Sequence, residues 1–128
     1  MQSLRRTFAA AALAGCLCLP FLADGPSAAA PNVFAGASAD RGSRLIEQVG
    51  CGSCHLVPGI GSAVGLVGPP LDHMANRIFI AGLLRNTPEN MVTWLMNPQK
   101  IVPNNAMPDM GLTEKQARDI TAYLYTLK

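Results

Sequence analysis

From Asp40 onward the apolar positions fall into three helical stripes separated by long, irregular connections. Leu45, Ile46 and Val49 recur at the spacing that places side chains on one face of a helix. Asp40 or Ser38 can cap its start, and Gly50 can close its end in a left-handed conformation. A second helix is predicted after Thr87-Pro88-Glu89, where threonine suits the N-cap, proline the first turn and glutamate the positive end of the dipole. It presents Met91, Val92, Leu95 and Met96, and Pro98 stops it. The third opens on Thr113 and Gln116, a capping box, and carries the stripe Ile120, Tyr123, Leu124 and Leu127. Ile78-Phe79-Ile80 is a short apolar run with no alternating partner segment, which predicts packed loop or irregular helix rather than strand.

Ahead of this pattern lies a different kind of sequence. Arg5-Arg6 precedes the charge-free stretch from Phe8 to Ala23, and small residues from Ser27 to Ala30 follow it. The stretch is shorter than the roughly 20 apolar residues that span a bilayer, and Gly15 and Pro20 interrupt it. It reads as a signal peptide over residues 1–30, cleaved near Ala30 or Pro31 in preference to an uncleaved membrane anchor, for a protein exported to the periplasm. Leu13-Ala14-Gly15-Cys16 also resembles a lipobox, which would make Cys16 a lipid tether, although Leu17 to Ala23 stays apolar where a lipoprotein turns polar. Residues 31–39 read as a linker, and 40–128 as the folded domain.

The chain has 128 residues, 14% of them charged, and a formal net charge of +2. Much of that excess sits in the leader, so the remainder is nearly neutral and a strongly basic nucleic-acid binder is excluded. Removing the leader leaves roughly 100 residues, close to the size at which a lone core is marginal. Long connections such as Pro58 to Pro70 need something to wrap around.

Cys51-Gly52-Ser53-Cys54-His55 names it: C-x-x-C-H is the haem c attachment pattern. Two thiols about one turn apart can reach the two vinyl groups of one porphyrin, and the adjoining imidazole can reach the iron. A thioredoxin-like redox pair would need a preceding strand. A zinc site would lack further ligands, because His73 is the one other histidine and Cys16 and Cys18 lie in the leader. A disulfide between Cys51 and Cys54 would close too small a loop to stabilise much.

With this motif, Gly42 through His55, Gly68-Pro69-Pro70-Leu71, the Asn86 to Pro98 segment with Trp94, Ala106-Met107-Pro108 and Ala122-Tyr123-Leu124 follow one another in a familiar order. The domain resembles the small bacterial class I cytochromes c, in particular the cytochrome domain of some bacterial oxidase subunits II. The resemblance implies an all-α fold of three to five short helices around one covalent haem c. It implies Met107 as the sixth iron ligand, a neutral, soft thioether in a loop that Pro108 keeps extended. Met110 is the rival three residues on. The resemblance also implies that the Pro69 carbonyl orients the His55 ring, that Arg77 lies beside a haem propionate and that the Trp94 indole lies on the other side of that edge. Gly42 and Ile46 are expected to meet Ile120 and Tyr123 where the first and last helices cross. Met74, Met91 and Met96 read as core filler, His73 as an exposed loop residue, and Glu47 and Asp72 as ordinary surface carboxylates.

The expected function is one-electron transfer in a periplasmic or membrane-associated respiratory chain, without enzymatic turnover. A terminal oxidase and a quinol-oxidising complex or dehydrogenase are the expected partners. The alternatives are a haem subunit of a dehydrogenase complex, and a haem enzyme or sensor with a labile sixth ligand. Gly61 to Val67, small and apolar, is a candidate docking surface beside the haem edge.

Overall fold

The computed structural model describes residues 32–128. The expected leader, with Arg5, Arg6, Cys16 and the run ending at Ala30, lies outside the described residues, as does Pro31. Helix α1 spans Ala39–Val49, with Ser38 Oγ accepting from the Arg41 N–H at 3.3 Å and Gly50 closing the C-terminus at φ 84°. Of the two expected caps, Ser38 is the one used, and Asp40 complements the dipole in the first turn. Helix α2 spans Pro88–Met96, capped by Thr87 as expected. Helix α4 spans Glu114–Leu124 behind the Thr113–Gln116 capping box. Pro98 ends α2 and at once starts a further short helix, α3, over Pro98–Ile101. A proline lacks only an N–H that a first turn leaves unpaired anyway.

The α1–α4 crossing is the centre of the domain. A β-carbon on Gly42 would lie 2.0 Å from the Asp119 carbonyl oxygen and 3.0 Å from the Tyr123 β-carbon, so only glycine lets the two helices approach this closely. Ile46 and Ile120 are buried beside it, and α2 packs its Met91, Val92 and Leu95 face on the same core. Tyr123 reaches out of the crossing to donate to the Pro58 carbonyl at 2.7 Å, which ties α4 to the long loop after the cysteines. That loop has a small core of its own, since Val57, Ile60 and Ala63 are buried.

Two parts of the fold differ from the pattern reading. Phe79–Ile80 is not loop or irregular helix but a strand, β1, paired antiparallel with β2, Leu84–Arg85, in the register Phe79 to Arg85 and Ile80 to Leu84. The connecting turn has Ala81 and Gly82 at φ 51° and 70°, and the Leu83 N–H donates to the Ile80 carbonyl at 3.0 Å. Strands two residues long carry no alternation to detect, and of this run only Ile80 is buried.

The second difference is at the N-terminal side. Residues 32–38, expected as a patternless linker, are attached to the domain. Val33 is buried, the Phe34 ring meets the Tyr125 ring edge-on with centroids 5.8 Å apart, and the Ser38 N–H donates to Asp119 Oδ1 at 2.7 Å. Two apolar side chains suffice for this, but they are too few to set a period. Among the described residues no helix is long and apolar enough to cross a membrane.

Candidate functional site

The elements leave a cavity of about 380 Å³ between the α1–α4 crossing, α2, the hairpin and the loop before α4. Every residue singled out from the chain as a site residue lines it: Cys51, Cys54, His55, Pro69, Arg77, Trp94 and Met107. Met110 lines it too. His73 does not, and it is exposed as expected.

The C-x-x-C-H segment enters as a 3₁₀ turn, Cys51–Ser53, immediately after Gly50. The N–H groups of Cys54 and His55 both donate to the Cys51 carbonyl, at 3.2 and 3.0 Å, and Ser53 Oγ donates to the Gly50 carbonyl at 2.7 Å. The turn thereby delivers Cys51, Cys54 and His55 to one cavity wall. The two cysteines are not joined by a disulfide. Burial pushes the Cys51 thiol above its ordinary range, the opposite of what a reactive redox cysteine needs. Among the described residues no three His, Cys, Asp or Glu side chains converge, so a zinc site has no ligand set.

His55 is held in one tautomer. Its Nδ1 lies 2.7 Å from the Pro69 carbonyl oxygen, which can only accept, so Nδ1 carries a proton and, in the neutral ring, Nε2 keeps its lone pair. Gly68 lies against the ring: a β-carbon there would sit 2.2 Å from His55 Cε1. The Gly68 N–H donates to the Cys54 carbonyl at 2.8 Å, so imidazole and loop are fixed to each other from both sides. The pair Gly68-Pro69 thus has one residue for space and one for the acceptor.

On the same cavity Met107 is fixed through its main chain. Its N–H donates to Asn105 Oδ1 at 2.7 Å, and its carbonyl accepts from Gln99 Nε2 at 2.6 Å. Met110 has neither bond. Gln99 and Asn105 were not visible as site residues in the chain, because a carboxamide on a polar stretch gives no periodic or spacing signal.

Arg77 lines the cavity and is also tied to its own loop, donating to the Pro70 carbonyl at 2.5 Å, the Asp72 carbonyl at 2.9 Å and Asp72 Oδ1 at 3.1 Å. Asp72 is therefore the ion-pair partner of Arg77 and not an unattached surface carboxylate. Trp94 is half-buried against the same space from α2.

The remaining walls come from core side chains, including Ile46, Leu71, Met74, Met91, Ile120 and Leu124. Met74 and Met91 are buried filler as expected, and both face the cavity. Among the lining residues Arg77 is the one with a permanent charge. Two thiols, one imidazole lone pair and soft thioethers in an apolar cleft with a cation at its edge fit a flat apolar macrocycle with an anionic rim. That chemistry, on a small mostly helical domain, defines a haem c-binding electron-transfer domain.

Comparison with known proteins agrees. The family model for cytochrome c matches residues 39–128, and the chain belongs to the cytochrome c family. Membership makes it a haem-based electron-transfer protein with covalently bound haem c. It is 35% identical over 91 residues to a cytochrome c oxidase subunit 2 of Alkalihalophilus pseudofirmus, covering 70% of this chain and 26% of that protein. Over 82 residues it is 35% identical to a cytochrome c oxidase subunit 2 of Bacillus sp. (strain PS3), covering 61% of this chain and 23% of that protein. The chain thus spans about a quarter of the length of the curated relatives it matches.

Proposed function

We propose that this protein is a single-haem, His/Met-ligated cytochrome c that carries one electron at a time between respiratory complexes. Haem c, when bound, supplies the one-electron iron couple. Cys51 and Cys54 would hold it by two thioether bonds, and His55 Nε2 and Met107 Sδ would ligate its iron. Pro69 keeps the His55 proton on Nδ1 and makes the ring a better donor. Arg77 and Trp94, both lining the cavity, would flank the propionate edge. The observation that carries the reading is the convergence of Cys51, Cys54, His55 and a main-chain-anchored Met107 on one apolar cavity.

With both ligands bound the iron would have no open position, which suits electron transfer and not substrate turnover. The relatives are oxidase subunits, so the electron is delivered to a terminal oxidase and comes from a quinol-oxidising complex or a dehydrogenase. Val64, Leu66 and Val67 are 67%, 83% and 75% exposed and continue from the cavity wall at Val67. Their exposure supports the reading of Gly61 to Val67 as an apolar docking surface. The leader pattern supports a periplasmic protein, either free or tethered through Cys16. A reduced-minus-oxidised visible spectrum after denaturing extraction tests the assignment, because only covalent haem survives the extraction. One haem per chain is expected, and a spectrum without haem c bands would overturn the reading.

A further inference from the structure

We infer that Gln99 is a positioning residue for Met107, acting with Asn105 as a two-carboxamide clamp that keeps the methionine on the iron against competing ligands. The inference rests on the reading of Met107 as an axial ligand. Gln99 Nε2 donates to the Asn105 carbonyl at 3.0 Å and to the Met107 carbonyl at 2.6 Å, while Gln99 Oε1 accepts from the Asn104 N–H at 3.1 Å. Asn105 Nδ2 donates to the Pro98 and Val102 carbonyls at 3.1 and 2.7 Å, and its Oδ1 accepts from the Met107 N–H. Each carboxamide uses both of its N–H donors and an acceptor lone pair.

The consequence is geometric. The loop from Val102 to Met107 has no regular structure, and Asn104 stands in it at φ 63°. Its shape is held by these side chains in place of a backbone ladder. Both main-chain polar groups of Met107 end on the clamp, so the direction of its side chain is set by α3, from which Gln99 projects. Met110 lines the same cavity without such an anchor; its neighbour Gly111 is held only by a local bond to Asp109. Between two thioethers three residues apart, the clamp selects Met107. It also sets how often the loop opens and exposes the iron.

The test uses the exported holoprotein. The wild type should show the sulfur-to-iron charge-transfer band, and Met107→Ala should lose it; if Met107→Ala keeps the band, the ligand assignment fails. In Gln99→Ala the band should persist near neutral pH, but imidazole should displace methionine at about tenfold to hundredfold lower concentration, because three hydrogen bonds are lost. The Asn104 and Met107 amides should exchange faster by a similar factor. Thr113→Ala, which removes the α4 cap, should lower the melting temperature without changing imidazole affinity, separating positioning from general stability. Gln99→Glu keeps the side-chain volume and the acceptor but removes both donors, and it should reproduce the effect should Gln99→Ala not accumulate. Wild-type imidazole affinity and amide exchange in both Gln99 variants would overturn the clamp, and the exchange readout stands whichever methionine binds the iron.

Discussion

Arg41 and Asp119 form a two-pronged ion pair across the α1–α4 crossing, with Nε to Oδ2 at 2.9 Å and Nη2 to Oδ1 at 2.8 Å. The Asp119 side chain is only 2% exposed, and it also accepts from the Ser38 N–H and from Lys115 Nζ. These bonds, Arg41's above all, hold its carboxyl well below the ordinary 3.8 against the upward push of burial. A depressed folded-state value means that the carboxylate stabilises the fold at pH above the unfolded value. That stabilisation is lost as pH falls through about 4 toward the folded value. Melts of the holoprotein should therefore be flat from neutrality to about pH 5 and fall steeply below, with Asp119→Asn less stable at neutrality and flatter in acid. Asp119→Ala should cost about 1–3 kcal/mol, because it takes the acceptor from the part-buried Ser38 N–H, while Arg41 and Lys115 stay open to water. An acid limb unchanged in Asp119→Asn would assign it to other carboxylates.

Gly42→Ala tests the closeness of the same crossing. Alanine is the better helix former by about 1 kcal/mol, but overpacking costs about 1–3 kcal/mol, and an approach of 2.0 Å to backbone leaves nothing flexible to move aside. A net loss of up to about 2 kcal/mol is expected in guanidinium titrations of the oxidised protein. A gain in stability would show that the helices can separate freely.

Cys51→Ala or Cys54→Ala should prevent a stable holoprotein, and the chain without haem should be largely unfolded, because Ile46, Met91, Ile120 and Leu124 all face the cavity. Far-UV circular dichroism with thermal melting reads this directly. Cooperative melting with full helicity in the haem-free chain would contradict it.

Met107→Ala should retain covalent haem, lower the reduction potential and admit exogenous ligands, whereas Met110→Ala should leave all three close to wild type. Spectroelectrochemical titration of the two variants distinguishes them. Loss of the charge-transfer band in Met110→Ala alone would transfer the ligand role to Met110.

Few surface charges are available to steer encounter, so the second-order rate with a terminal oxidase should fall only weakly with ionic strength. Stopped-flow oxidation across a salt series measures it. A steep dependence would reveal a charged patch hidden in the near-neutral total.

The parts of this protein legible in the chain are those whose partners are close in sequence. Ser38 and Arg41, Thr113 and Gln116, and the cysteines and histidine of C-x-x-C-H lie within a turn of one another, so cap, stripe and haem attachment pattern are properties of a short window. Pro69 and Met107 became readable through resemblance to a family, and their geometry supplies the reasons: a carbonyl acceptor for His55 and a main chain held at both ends. What no window contains is the meeting of distant segments. Asp119 lies 78 residues from Arg41, the two-residue strands of the hairpin are defined only by each other, and Val33 has a place only once the α1–α4 pair exists. The roles of Gln99 and Asn105 belong to the same class, because a carboxamide satisfies whichever backbone groups the folded loop presents, and those groups converge only after the chain has closed around its cavity.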